Sequence, residues 1–260
     1  MITVLGANGY IGKRIVRSLE KYTDRPIIKV DPSFGGVYDG YRSPPSLGNY
    51  GTIINASGPG ASPGCSLEEY TEAKELCRSF RAQLNCDRFI HISSIAAAKG
   101  AESPYSWTKL GMENIVKSRP NFAILRIHNV AGEFDDKDTR LIPSLINSFY
   151  SRRSFELKVS GHSRLDFISV NDVGDAIAQA ALTGIQGTYE IGSGTTYSIY
   201  DVIREVQKLN TLNNIIVNQT SDKIVPFVGY SHRLIGSPKD SLKQIIESYD
   251  KSNKDRFGTR

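Results

Sequence analysis

Cysteine is scarce in this 260-residue chain: Cys65, Cys77 and Cys86 are the whole complement. Three thiols cannot all pair with one another, and their spacing matches no zinc-ligand set. A disulfide framework and a cysteine metal centre are therefore excluded as organising features, and reduced thiols in a cytoplasmic setting are expected. The four histidines, His91, His128, His162 and His232, also lack metal-ligand spacing, and structural or exposed positions are expected for them. No apolar run approaches the length needed to span a bilayer. Ordered structure is expected from Ile2 onward, which leaves no room for a signal peptide. The formal charge is +5, but the basic residues are scattered, with local density only at Arg152-Arg153 and in the tail "KSNKDRFGTR". Without a basic stripe interleaved with aromatics, a nucleic-acid surface is not expected. The mild positive excess suits steering of a phosphate-bearing small molecule. With 39% hydrophobic and 23% charged residues, the chain is globular and long enough for one large domain or two small ones.

What is present is an alternation. "MITVLGA" reads as a buried strand and "GKRIVRSLEKY" as an amphipathic helix with Ile15, Val16 and Leu19 on one face. "RPIIKVD", "TIINASG", "RFIHISS" and "FAILRIHNV" read as further strands. "SLEEYTEAKELCRSFRAQL" reads as a helix with a Ser66/Glu69 capping box, and "SPYSWTKLGMENIVKS" as another, ended by Arg119-Pro120. Residues 32–51 are rich in Gly, Pro and Ser and read as irregular. In the later chain, helices are expected over "LIPSLINSFYSRRS", "NDVGDAIAQAAL" (capped by Asn171 or Asp172), "SIYDVIREVQKL" and "SPKDSLKQIIESYDKS", with strands at "FELKVSG", "LDFISV" and "GTYEIGSG". Strands alternating with helices imply an α/β fold with a doubly wound parallel sheet.

Gly6, Gly9 and Gly12 fall at the first strand-to-helix turn. The first permits a tight turn, the second lets the backbone approach a pyrophosphate, and the third allows close packing of helix on strand. Backbone N–H groups and the positive end of the helix would hold the phosphates. Asp31 follows about 20 residues later, at the end of the second strand, where a carboxylate accepts hydrogen bonds from the adenosine ribose. It would repel the 2′-phosphate of NADP, and Pro32 and Ser33 offer no compensating charge. The pattern points to a Rossmann-type domain that binds NAD. Gly6, Ala7, Asn8, Gly9, Tyr10, Ile11, Gly12, Asp31, Ala56, Ser57 and Gly58 are the expected cofactor contacts, together with Tyr105 and Lys109 below.

A Tyr and a Lys four residues apart share a helical face. A nearby ammonium favours the tyrosinate, which suits the phenol to proton transfer. The spacing is cheap in a chain with 13 tyrosines, and two such pairs occur, Tyr70/Lys74 and Tyr105/Lys109. Glu68, Glu69, Glu72 and Glu75 surround the first pair and would neutralise Lys74, so that pair is expected on a solvated face. Catalysis is assigned to Tyr105/Lys109.

With these residues in place, "GANGYIG", "HISS", "SPYSWTK", "LRIHNVAG", "LDFISVNDV" and "YEIGSG" together resemble the extended short-chain dehydrogenase/reductases of the NAD-dependent epimerase/dehydratase family. The resemblance implies a Ser94–Tyr105–Lys109 triad. Ser94 would hold the substrate oxygen, Tyr105 would move its proton, and Lys109 would hold the nicotinamide ribose. It implies a nucleoside-diphosphate sugar as substrate, with Asn129 near the diphosphate. It also implies a NAD-binding domain from residues 1–135 and 166–188, and a small C-terminal α/β substrate lobe from 136–165 and 189–260. A homodimer through the helix of Tyr105 and the long helix before it is implied as well.

Departures restrict the chemistry. Ile95 and Ala96 follow Ser94 where the family's dehydratases carry an acidic pair, and the glutamate of the related decarboxylases is absent too. Leu165 stands at the family's usual arginine; Arg164, one residue earlier, either replaces it or points away. His128 and His162 fall near the expected cleft. Three functions remain open: an epimerase that oxidises and re-reduces a sugar hydroxyl, a nucleotide-sugar 4-ketoreductase, and a dinucleotide-sensing protein without turnover. An NAD-type pocket favours the epimerase.

Overall fold

The computed structural model describes residues 1–30, 49–58, 66–68, 70, 71, 74, 75, 77, 85–100, 103–118, 120–132, 140–209, 215–228, 234 and 241–257, with side chains up to Tyr249. Asp31, residues 32–48 of the irregular stretch, Cys65, Glu69 of the expected capping box, Arg119 and His232 lie outside the described residues. The chain divides into two compact units: Met1–Ile127, Val173–Ile191 and Tyr230–Leu234 in the first, and His128–Asp172, Gly192–Gly229 and Ile235–Arg260 in the second.

The first unit is built on a six-stranded, all-parallel sheet. Its strands are β1 (Ile2–Leu5), β2 (Ile27–Val30), β3 (Thr52–Asn55), β4 (Arg88–Ser94), β5 (Phe122–Ile127) and β9 (Gly187–Ile191), in the order β2-β1-β3-β4-β5-β9. The inner strands β1 and β3 are buried at every residue, as a sheet covered on both faces requires. The edge strand β2 is half-exposed, and its Lys29 pairs with Glu20 at 2.8 Å. Helix α1 (Gly12–Tyr22) buries Ile15, Val16 and Leu19 against the sheet. Helix α2 (Pro104–Lys117) starts with Pro104 in its first turn and a reciprocal cap between Ser103 and Ser106. Helix α4 (Val170–Thr183) crosses α1 closely: a Cβ at Gly174 would come within 2.9 Å of the Arg14 backbone. Asp175 accepts there from the Ser18 and Tyr22 hydroxyls. The cap of α4 differs from expectation. The Ser169 hydroxyl accepts from the Asp172 N–H at 3.0 Å, so the helix begins earlier than the polar pair Asn171-Asp172 suggests.

"FAILRIHNV" is two strands rather than one. β5 ends at Ile127, and β6 (Asn129–Ala131) belongs to the second unit, in a three-stranded sheet of order β10-β8-β6. In that sheet β8 (Arg164–Ser169) pairs parallel with β6 and antiparallel with β10 (Thr196–Ser198). Two short parallel strands, β7 (Phe155–Leu157) and β11 (Val217–Gln219), form a separate ladder. Helices α3 (Leu141–Ser151), α5 (Ile199–Gln207) and α6 (Leu242–Phe257) enclose a core of Leu145, Ile146, Phe149, Val202, Val206, Ile245 and Tyr249. The Tyr249 hydroxyl accepts from the Gly132 N–H at 2.9 Å. Among the described residues no helix is long and apolar enough to cross a membrane.

Candidate active site

The glycine turn closes on itself. Gly6 has φ +77°, and a Cβ there would stand 2.9 Å from the Ser57 backbone. Its N–H and that of Ala7 both donate to the Val30 carbonyl, at 2.7 and 3.2 Å, tying the turn to the end of β2. The Gly9 N–H donates to the Gly6 carbonyl at 3.1 Å. A Cβ at Gly12 would lie 1.9 Å from that same carbonyl oxygen, so any side chain here would displace the helix. Asn8 and Gly9 are exposed, which keeps the outer backbone of the turn accessible. The α1 N-terminus follows directly, and no side chain caps it. A bare helix N-terminus behind side-chain-free backbone suits a pyrophosphate.

The exit of β3 supplies the next wall. The Asn55 Oδ1 accepts from the Ser57 N–H and hydroxyl, folding the chain at Ala56-Ser57. Gly58 has φ +126°, and a Cβ there would be 3.9 Å from Lys109 Nζ. A continuous row thus runs from Gly6 through Ser57 and Gly58 to Lys109 of α2. One turn earlier on α2 stands half-buried Tyr105, whose ring centroid is 5.8 Å from Lys109 Nζ. Lys109 is itself buried, and its ammonium approaches the Ile92 carbonyl at 3.5 Å. Ser94 ends β4 beside a short 3-10 turn (Ile95–Lys99), and its hydroxyl accepts from the Ala96 N–H at 3.2 Å. The fold therefore brings Ser94, Tyr105 and Lys109 into one unit with the glycine turn. No direct hydrogen bond joins the three side chains to one another, among the described residues.

Beneath them lies a buried polar layer that sequence reasoning missed. Glu113, one turn beyond Lys109, is fully buried. Arg126 donates to both of its carboxylate oxygens, at 2.9 and 2.7 Å, and the Ser93 hydroxyl donates at 2.7 Å. The hydrogen bonds from Arg126 to Glu113 are the main reason the guanidinium is held above its ordinary pKa. The Glu113 carboxylate is thus committed to Arg126, and among the described residues no ion pair joins it to Lys109. His91 is buried in the same layer. Burial first, and the Lys109 charge second, push its pKa well below the usual histidine value, so the ring is neutral. The Asn55 Nδ2 lies 3.5 Å from its Nδ1, which places the ring proton on Nε2, where it has no partner among the described residues. The signal for this layer was alternation: His91 and Ser93 recur at a spacing of two among the apolar Phe89, Ile90 and Ile92 of β4, and Ser93 registers with Arg126 of β5.

The Tyr70/Lys74 pair is not on a solvated face. Tyr70 is buried at 4% exposure, with its ring 6.0 Å from that of Tyr105 and inclined at 60°. Lys74 rests its ammonium 4.0 Å from the centroid of Trp107. The glutamates beside these residues did not decide their placement, because the described helical positions of residues 67–77 pack their Tyr70 side on α2.

Asn129 and Arg164 belong to the second unit. The Asn129 Nδ2 donates to the Asp166 carbonyl at 2.9 Å. Arg164 is exposed and donates to Thr196 through Nε and Nη2, at 2.9 and 2.6 Å. Asp166, fully buried, accepts from the N–H groups of Ser193 and Gly194 and so pins the turn that follows β9. His128 stacks on Phe227, and His162 meets Tyr200 edge-on. Among the described residues no cluster of His, Cys, Asp or Glu could hold a metal ion.

Residues 69–192 match the model of the NAD dependent epimerase/dehydratase family. Solved structures with the same fold include the UDP-glucuronic acid 4-epimerase of Bacillus cereus in complex with NAD. It is 21% identical, with a TM-score of 0.77 over 99% of each chain. The UDP-N-acetylglucosamine 4-epimerase of Bacillus cereus is 18% identical, with a TM-score of 0.74 over 100% of this chain and 97% of that one. The dTDP-glucose 4,6-dehydratase of Bacillus anthracis in complex with NAD is 17% identical, with a TM-score of 0.69 over 97% of both.

Proposed function

We propose that this protein is an NAD-dependent nucleotide-sugar epimerase that oxidises and re-reduces a sugar hydroxyl through Ser94, Tyr105 and Lys109. One observation carries the reading: the row from the glycine turn through Ser57 and Gly58 to Lys109 and Tyr105. The residues fit a dinucleotide, because the turn has no room for a side chain at Gly6 or Gly12 and ends at an uncapped helix N-terminus. Backbone N–H groups of the turn would hold the pyrophosphate, the Asp31 carboxylate the adenosine ribose, and Lys109 the nicotinamide ribose. Ala7, Asn8, Tyr10, Ile11 and Ala56 line the remainder. Bound there, NAD supplies a reversible hydride acceptor.

The chain's own groups supply the proton chemistry. Ser94 donates to the substrate hydroxyl oxygen and holds it at the end of β4. Tyr105 takes the hydroxyl proton at its phenol oxygen and returns it when the carbonyl is reduced from its other face. Tyr105 is thus a phenolate before it takes the proton and again after it returns it, and the Lys109 ammonium stabilises that charged form. The substrate is a nucleoside-diphosphate sugar, and UDP-sugars are the first probes because two of the three similar structures are UDP-sugar 4-epimerases. Asn129 and Arg164 are proposed substrate contacts from the second unit. The active form is proposed to be a homodimer through α2 and the helix before it; sedimentation as a single 28.7 kDa chain would remove that part.

Tyr105→Phe tests the reading. We expect turnover of a UDP-sugar pair to fall by about 100-fold or more, within the range general acid-base catalysis supplies. NAD affinity should hold within about threefold, as the ring still packs beside Lys109. No net NADH should appear during turnover. Stoichiometric NADH consumption with a 4-ketosugar would instead identify a ketoreductase, and unchanged turnover in the variant would remove Tyr105 from the mechanism.

A further inference from the structure

Tyr105 sits on the first turn of α2, half-buried, with no hydrogen bond from its hydroxyl to Ser94 or Lys109. Packing must then set the direction of its ring. The described helical positions Tyr70, Lys74 and Cys77 supply that packing along one face. Tyr70 meets Tyr105 edge to face, with centroids 6.0 Å apart. Lys74, a turn later, lies in the gap left by Gly111, where a Cβ would come within 3.0 Å of its Cδ, and its ammonium covers the Trp107 ring. Cys77, 1% exposed, enters the core cluster with Met112 and Val116. The spacing of three and four residues keeps these contacts on one stripe. Tyr70 is thereby locked by the contacts that follow it along the helix, and it is 4% exposed.

We infer that Tyr70 is a positioning residue: its ring holds the Tyr105 phenol at the angle proton transfer needs. This rests on the proposed role of Tyr105, and it concerns a residue that the sequence pattern assigned to solvent. The ring supplies the contact, so phenylalanine should substitute and an aliphatic side chain should not. Proton transfer between heavy atoms tolerates little misplacement, and a shift near 1 Å can cost about 100-fold in rate.

The experiment uses the full chain labelled with 3-fluorotyrosine, with the Tyr105 signal assigned by its loss in Tyr105→Phe. In Tyr70→Leu the Tyr105 fluorine resonance should move and broaden, and in Tyr70→Phe it should stay in place. Assayed with UDP-glucose and UDP-glucuronic acid in the presence of NAD, Tyr70→Leu should lose about 10- to 100-fold in kcat. Its KM and NAD affinity should be unchanged, and Tyr70→Phe should stay within threefold of the parent. A purely structural role would instead lower stability and cofactor affinity together. Fluorescence of Trp107, the one tryptophan in the chain, checks that the variants fold. If Tyr70→Leu fails to fold, the contact is read in the parent protein as magnetisation transfer between the two rings, and its absence overturns the inference. A Tyr105 signal indifferent to Tyr70→Leu overturns it in an active enzyme. Equal loss of kcat in both Tyr70 variants does so as well. If Tyr105→Phe keeps full turnover, the function reading fails and the catalytic purpose of the contact fails with it, while the fluorine shift still reports whether the rings touch.

Discussion

At the scale of the residue, three glycines three apart have unequal duties, and substitution separates them. Gly12→Ala must push the Gly6 carbonyl from 1.9 Å. Overpacking of that kind costs about 1–3 kcal/mol, so the urea midpoint should drop and NAD binding with it. At Gly9 a Cβ would sit 3.2 Å from the same oxygen, a contact that gives by tenths of an ångström. Gly9→Ala should therefore keep the urea midpoint nearly unchanged while weakening NAD affinity by about tenfold or more, because its methyl stands on the accessible side of the turn. Isothermal titration beside urea denaturation distinguishes the two. That glycines belonged here was legible from their spacing after an apolar run. Which one abuts Ser57 and which one its own turn was not, since this depends on the end of β3, some 50 residues along the chain. The Tyr70/Lys74 pair shows the same limit. Its local charges argued for solvent, yet its partners Tyr105 and Trp107 lie on another helix, and tertiary packing overrode the local pattern.

At the scale of the element, strands and helices of the first unit followed from composition, because apolar runs bounded by turns have few alternatives in a βαβ alternation. Helix α1 spans the same residues, Gly12–Tyr22, as its amphipathic pattern. Boundaries that depend on hydrogen bonds rather than hydropathy were harder. "FAILRIHNV" reads as one strand because nothing in its apolarity records that β6 pairs with β8. The start of α4 was hidden for a related reason: two polar residues follow Ser169, and each is a good cap by type. Ser169→Ala should cost about 1 kcal/mol of stability in urea unfolding, the usual loss for a capping hydroxyl. Asn171→Ala, exposed and one position into the helix, should stay within about 0.5 kcal/mol.

At the scale of the molecule, the neutral His91 links stability to pH. Its folded pKa lies well below the ordinary value near 6.5 of the unfolded chain. Below that value the unfolded chain takes up a proton that the folded protein refuses. The contribution is thus fully present above about pH 6.5 and is lost as pH falls, by up to about 1.4 kcal/mol per pH unit. The difference in unfolding free energy between the parent and His91→Gln should shrink from pH 7 to pH 5, as measured by urea denaturation. A constant difference would show that His91 titrates normally. At this scale the doubly wound arrangement was evident from the order of elements, whereas the buried layer of His91, Glu113 and Arg126 was not, since its members come from β4, α2 and β5. The interleaving of the two units along the chain bears on synthesis. After Ile127 the chain leaves the first unit, and it returns only at Val173 to supply β9, which pairs with β5. A polypeptide emerging from the ribosome must carry the open flank of β5, with its unpaired amides, until some sixty more residues have been added. Premature termination anywhere in that interval would release a fragment with a sticky edge, prone to recruiting strands from its neighbours.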